Sequence, residues 1–142
     1  GMPILLTDKD QAPQATMQAI SNLGINHLIV VGGTSAISDS SLTGLPSYTR
    51  VNGADRFGTA IALAQHFDMP ATRIFVATGL DYPDAITGAA LAAKEGCGMI
   101  LVSRTVPDAA VNYLQGKFIH RFTLLGGTTV ISESVVRQLT GH

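Results

Sequence analysis

Two carboxylates three positions apart, Asp81 and Asp84, flank Tyr82-Pro83 and could serve as an acid/base pair or as cation ligands. The same residues also suit a helix start. Proline sits near the first turn with acidic groups on either side, complementing the helix dipole, and no third ligand accompanies the pair. Arg50 and Arg56 are the cations suited to anion recognition, because a guanidinium takes phosphate or carboxylate through two parallel hydrogen bonds. Asp55 is placed to pair with Arg56 or to cap the helix that follows. Gly32-Gly33-Thr34-Ser35 and Gly126-Gly127-Thr128-Thr129 are glycine turns whose amides could cradle an anion, or plain tight turns after buried strands. His27 and His120 precede strand-like runs, His66 falls near a helix end and His142 is terminal, all poor places for a catalytic base. The nucleophile-elbow, dinucleotide, P-loop and zincin patterns are absent, and a lone Cys97 leaves no disulfide framework and no cysteine-based metal site. No cofactor and no metal are expected.

The elements that must position these groups alternate in type. Apolar runs at 3–7, 27–32, 73–78, 98–103 and 121–126, with a weaker one at 47–51, read as strands. Phe57, Ala60, Ile61, Ala64 and Phe67 form one face of a helix over 55–67, and Met17, Ile20 and Leu23 mark an earlier helix ending at Gly24. Such alternation predicts an α/β fold with a mainly parallel sheet covered by helices on both faces. The segments following the strands then gather at one edge, the default place for a ligand. After the Asp81–Ala85 segment, Ala85, Gly88, Ala89, Ala92 and Ala93 give a helix face almost without side chains, suited to close packing within the domain or between modules.

The chain also repeats itself. VGGTSAISD at 31–39 recurs as LGGTTVISE at 125–133, 94 residues later, and PILLTDKDQAP at 3–13 parallels MILVSRTVP at 99–107. Residues 3–45 thus resemble 99–139, with an unrepeated segment between them, so the 142 residues comprise one repeat unit plus a second copy of its half, in a single domain. With 46% hydrophobic and 13% charged residues the chain has ample core. A net charge of −1 supplies no basic field for nucleic acid or an anionic membrane, so any polyanion must be gripped locally. No run reaches transmembrane length and no signal-peptide pattern is present; Gly1-Met2 reads as a tag remnant.

In this order and spacing, PILLT, VVGGTSAIS, RVNGADRFGTA, FVATGLDYPDAITGAALAAKEG, MILVSR and LLGGTTVIS resemble the type 2 cell wall-binding repeat of Gram-positive surface proteins. The resemblance spans nearly the whole chain. It implies a noncatalytic, extracellular module that holds its parent protein on anionic cell wall polysaccharide, with a Rossmann-like three-layer sandwich and three modules packed about a pseudo-threefold axis. It places Arg56 in the family's Asp-Arg pair and Asp84 in its Asp-Ala helix start. Phe57 and Gly58 stand where tyrosine and glutamate are common. The expected ligand-contacting set is Arg56, Arg50, Thr34, Ser35, Asp81, Asp84 and Thr128. Since modules pack in threes and an isolated one leaves apolar surface in water, a homotrimer is expected. A small hydrolase or sugar-modifying enzyme using Asp55, Asp81 or Asp84, and a purely self-assembling scaffold, are the alternatives.

Overall fold

The computed structural model describes residues 2–141, so Gly1 and His142 lie outside the described residues. The chain divides into two compact units, residues 1–52 and 53–142.

The first unit contains α1 (Gln14–Asn22), β1 (His27–Val31), the short 3-10 turn Asp39–Leu42 and β2 (Ser47–Val51). Helix α1 ends as expected. Gly24 takes φ +63° beyond the C-cap Leu23, and Ile25 N–H donates back to Ile20 O, a closure that glycine adopts without steric cost. Strands β1 and β2 run parallel, with His27 opposite Ser47 and Val31 opposite Val51. Ala12, Ile20, Val30, Leu42 and Val51 are buried.

The second unit contains α2 (Arg56–His66), β3 (Arg73–Thr78), α3 (Pro83–Lys94), β4 (Gly98–Val102), α4 (Asp108–Leu114), β5 (Arg121–Leu125) and α5 (Glu133–Thr140). Its sheet has the order β4-β3-β5, all parallel. Alternation along the strands splits the core into two faces. Ile74, Val76, Ile100 and Val102 join Ile61 and Ala64 of α2, Ala110 and Leu114 of α4, and Val135 and Leu139 of α5. On the other face Phe75 and Ala77 are fully buried, and α3 lies there: a Cβ at Gly88 would meet Leu125 Cδ1 at 1.9 Å. The small-residue face of α3 is therefore used inside the unit at Gly88 and Ala92, while Ala89 and Ala93 remain exposed.

The α/β class and parallel pairing agree with the sequence reading, but the strand expected at 3–7 does not form. Its counterpart in the second copy, β4, is held by β3. Among the described residues the first copy has no equivalent of β3 beside it, α2 and β3 lying in the unrepeated segment. An apolar run without a neighbour to complete its ladder stays irregular. The side chains register the difference: Ile100 and Val102 are 1% and 0% exposed, whereas Ile4 and Leu6 are 89% and 81% exposed. The expected single sheet is accordingly two, one of two strands and one of three.

Candidate functional site

Arg56 is the first residue of α2, and its position is set by the turn before it. Asp55 accepts from Gly58 N–H at 2.8 Å, Gly53 N–H donates to Thr59 Oγ1 at 3.0 Å, and Thr59 Oγ1 donates to Asp55 O at 2.8 Å. The backbone of Gly53 lies so close to Gly58 that a Cβ would fall 2.2 Å from the Gly58 carbonyl carbon, which excludes any side chain there. With the Asp55 carboxylate spent on the cap, the Asp55–Arg56 ion pair does not form. Among the described residues the arginines in ion pairs are Arg50, Arg73 and Arg137. Arg56 instead donates from one terminal nitrogen to Gly79 O at 2.9 Å, where β3 has just ended.

That bond holds the guanidinium at a small cleft of about 150 Å³ lined by Arg56, Thr78, Gly79, Asp81, Tyr82 and Leu101. The cleft sits at the C-terminal ends of β3 and β4, the edge at which open parallel sheets bind ligands. Asp81 does not cap α3. Its Oδ1 accepts from Tyr82 N–H at 2.8 Å, Tyr82 occupies the N-cap position without a side-chain cap bond, and Pro83 opens the helix. Asp84 lies in the first turn with Oδ2 only 3.0 Å from where a Cβ of Gly126 would stand, so its carboxylate rests over the second glycine turn.

The two glycine turns share one backbone path. Gly32 and Gly126 have φ +119° and +120°; Ala36 and Ile37 N–H donate to Gly33 O, as Val130 and Ile131 N–H donate to Gly127 O. These four amides are thus consumed within the turns and do not face an anion. Thr34, Ser35 and Thr128 are exposed on them. Ser38 and Ser132 then begin the next helical segments at φ, ψ of −69°, 160° and −68°, 158°. They differ in use: Ser132 Oγ accepts from Val135 N–H, whereas Ser38 Oγ donates to Lys9 O.

Arg50 lies in the first unit. Near the end of β2 it donates to Gly32 O at 2.8 Å, Ile37 O at 3.0 Å and Asp39 Oδ1 at 2.9 Å, with its side chain 16% exposed. Sequence reasoning missed this closure, although an acidic residue at the same place in both copies, Asp39 and Glu133, was its visible trace. Of the expected set, the structure brings Arg56 and Asp81 to one cleft and Asp84 beside the turn that carries Thr128. Arg50, Thr34 and Ser35 belong to the other unit. Leu80, Tyr82 and Ile86, 60%, 72% and 64% exposed, form an apolar surface around the start of α3 that periodicity alone had not singled out. No group of metal-ligating side chains is assembled among the described residues, and none of their helices is long and apolar enough to cross a membrane.

Comparison with known proteins meets this geometry. The model of the family described as cell wall binding domain 2 (CWB2) matches residues 50–136, beginning within β2. The chain is 36% identical over 140 residues to the N-acetylmuramoyl-L-alanine amidase LytC of Bacillus subtilis, aligning 98% of this chain with 28% of that protein. It is 27% identical to the amidase enhancer of the same organism, 98% of this chain against 19% of that one. The chain therefore spans less than a third of these relatives. Among solved structures, Cwp6 from Clostridium difficile superposes with a TM-score of 0.89 at 25% identity over 98% of this chain and 23% of its own. Cwp8 from the same organism gives 0.78 at 31% identity, over 96% of this chain and 24% of its own. With the glycine turns, the capped Gly53–Phe57 segment and the parallel strands all in place, the chain belongs to the cell wall binding domain 2 family of surface proteins.

Proposed function

We propose that this cell wall-binding chain is a noncatalytic anchor that grips an anionic wall polysaccharide through Arg56 in the cleft beyond β3, and so holds a larger surface protein outside the cell. The observation that carries the reading is the Arg56 guanidinium, oriented by Gly79 O at 2.9 Å and engaged in no ion pair among the described residues. One terminal nitrogen is committed to the protein, and the rest of the fork can meet phosphate or carboxylate oxygens. A net charge of −1 gives no general attraction to a polyanion, so binding depends on such local groups multiplied by repetition. Asp81 lines this cleft and limits it to anions that approach Arg56 directly, while Asp84 and the Thr128 hydroxyl lie at the second glycine turn. Thr34 and Ser35 are the hydroxyl contacts proposed on the glycine turn of the first unit. Arg50 supports its turn from within.

Packing with sister modules is the second part of the reading, a homotrimer being its form for this chain by itself. It is supported by the exposed Leu80, Tyr82 and Ile86 around α3. The chain is then read as a single Rossmann-like domain of one repeat unit plus a second copy of its half, residues 3–45 resembling 99–139. Cosedimentation with purified cell walls, before and after extraction of the anionic polymer, tests the function. Binding that survives extraction, or that is unchanged in Arg56→Ala, sinks it.

A further inference from the structure

The repeat shows what a completed edge looks like. In the first unit β1 carries β2 beside it, and Gly32 N–H donates to Val51 O at 2.9 Å, so the even-numbered residues of β1 face β2. Successive residues of a strand bond alternately to the neighbours on its two sides. In the second unit β5 is β1 displaced by 94 residues, from Arg121 for His27 to Leu125 for Val31. It meets β3 through its odd-numbered residues: Arg121 N–H reaches Thr72 O at 3.3 Å. Phe122, Leu124 and Gly126, the counterparts of Leu28, Val30 and Gly32, turn their backbone groups to the opposite edge, where no strand is paired among the described residues. Beside that edge runs a groove of about 650 Å³ lined by Phe118, Phe122, Leu124, Val136 and Leu139, with Phe118 79% exposed.

The arginine socket recurs as well. Arg50 of β2 locks onto Gly32 O, Ile37 O and the Asp39 carboxylate. The equivalents in the second copy are Gly126 O, Ile131 O and the Glu133 carboxylate, on a turn of the same φ and the same internal hydrogen bonds. No side-chain donor reaches either carbonyl among the described residues. Glu133 makes only a solvent-exposed pair with Arg137 at 3.6 Å, the two side chains 80% and 74% exposed.

We propose that the free edge of β5 is the docking site for the entering strand of a sister module, an extended segment of the Ser47–Val51 type. It runs parallel to β5 with its arginine opposite Leu124 and its guanidinium seated on Gly126 O, Ile131 O and Glu133. The charge matches, the ladder supplies the backbone bonds, and the groove receives the apolar side chains. Arg121 replaces His27, which bonds the Ser47 and Thr49 hydroxyls, so the first rung is held by the ladder alone. A second copy of this chain is not the donor, because its own β2 is already paired with β1.

Two forms of one experiment test this. A synthetic peptide with the sequence of residues 45–52 is titrated into the protein, and the same eight residues are fused after Thr140. Amide hydrogen exchange is read in both. Protection gained at Phe122, Leu124 and Gly126, lost about three- to tenfold in affinity with Glu133→Gln or with lysine at the arginine position, and kept with Glu133→Asp, supports the proposal. Unchanged exchange at these three amides in the fused protein overturns it. So does protection that moves to β1, or protection already present in the unfused protein that rises with its concentration, which assigns the edge to self-association.

Discussion

Gly32 and Gly126 stand 94 residues apart and hold the same backbone conformation, φ +119° and +120°. Their surroundings differ: a Cβ on Gly32 would meet Ala36 Cβ at 3.4 Å, whereas one on Gly126 would meet Asp84 Oδ2 at 3.0 Å. Both positions penalise a side chain through the positive φ, and only Gly126 adds a crowded carboxylate. Gly126→Ala is expected to destabilise the protein by about 1–3 kcal/mol, and Gly32→Ala by less. Urea denaturation followed by circular dichroism measures both, and equal losses would show that the Asp84 contact is unimportant.

The two copies predict unequal costs for equivalent truncations. Ile100→Ala removes a fully packed side chain and should cost about 2–5 kcal/mol. Ile4→Ala should stay within about 0.5 kcal/mol, since the side chain is 89% exposed. A large loss for Ile4→Ala would mean that residues 3–7 pack in solution.

Gly88 is the point where α3 meets β5. Gly88→Ala forces Leu125 to move and is expected to cost about 1–3 kcal/mol. Pairing it with Leu125→Ala should recover part of that loss in a double-mutant cycle, because the obstructing atom is then gone. Strict additivity would place the strain elsewhere.

Tyr113 on α4 gives the pH dependence. Burial, with the Asp68 carboxylate adding to it, raises the phenol above its ordinary value of 10.0. The neutral form is the one the fold favours, so this contribution is complete below the unfolded pKa near 10 and is lost as pH rises through the higher folded value. Stability should fall above about pH 10 in the native protein, and Tyr113→Phe should flatten that limb of the curve. An unaltered alkaline limb in Tyr113→Phe would assign it to other groups.

Wall binding is expected to respond to charge at one place. Arg56→Ala should reduce binding of a three-module protein by about tenfold or more, each lost charge-assisted contact being repeated in every module. Arg56→Lys should retain part of it, and Arg137→Ala, on the exposed outer turn of α5, should leave it intact. Light scattering during size exclusion examines the sister-module packing separately; a monodisperse monomer at high concentration would reject the homotrimer.

Much of this architecture was legible in the residues. Strand β3 and the weaker β2 run over the residues that periodicity marked, and α2 begins at the Asp55 cap, because short-range patterns dictate where an apolar face recurs and where a backbone donor needs a side-chain acceptor. The repeat pointed to equivalent turns at Gly32 and Gly126, since the shared Gly-Gly-Thr and the Ile-Ser that follows impose the same local backbone path. Pairing is another matter. PILLT and MILVS have the same strand pattern, yet only the second has a β3 beside it, and ladder bonds come from neighbours distant in the chain. The same holds for the charges. Asp55 and Arg56 are adjacent in sequence, but their side chains serve a helix cap and a distant carbonyl. The Arg50 guanidinium closes a turn 11 to 18 residues upstream of it, a closure that exists only once β1 and β2 lie side by side.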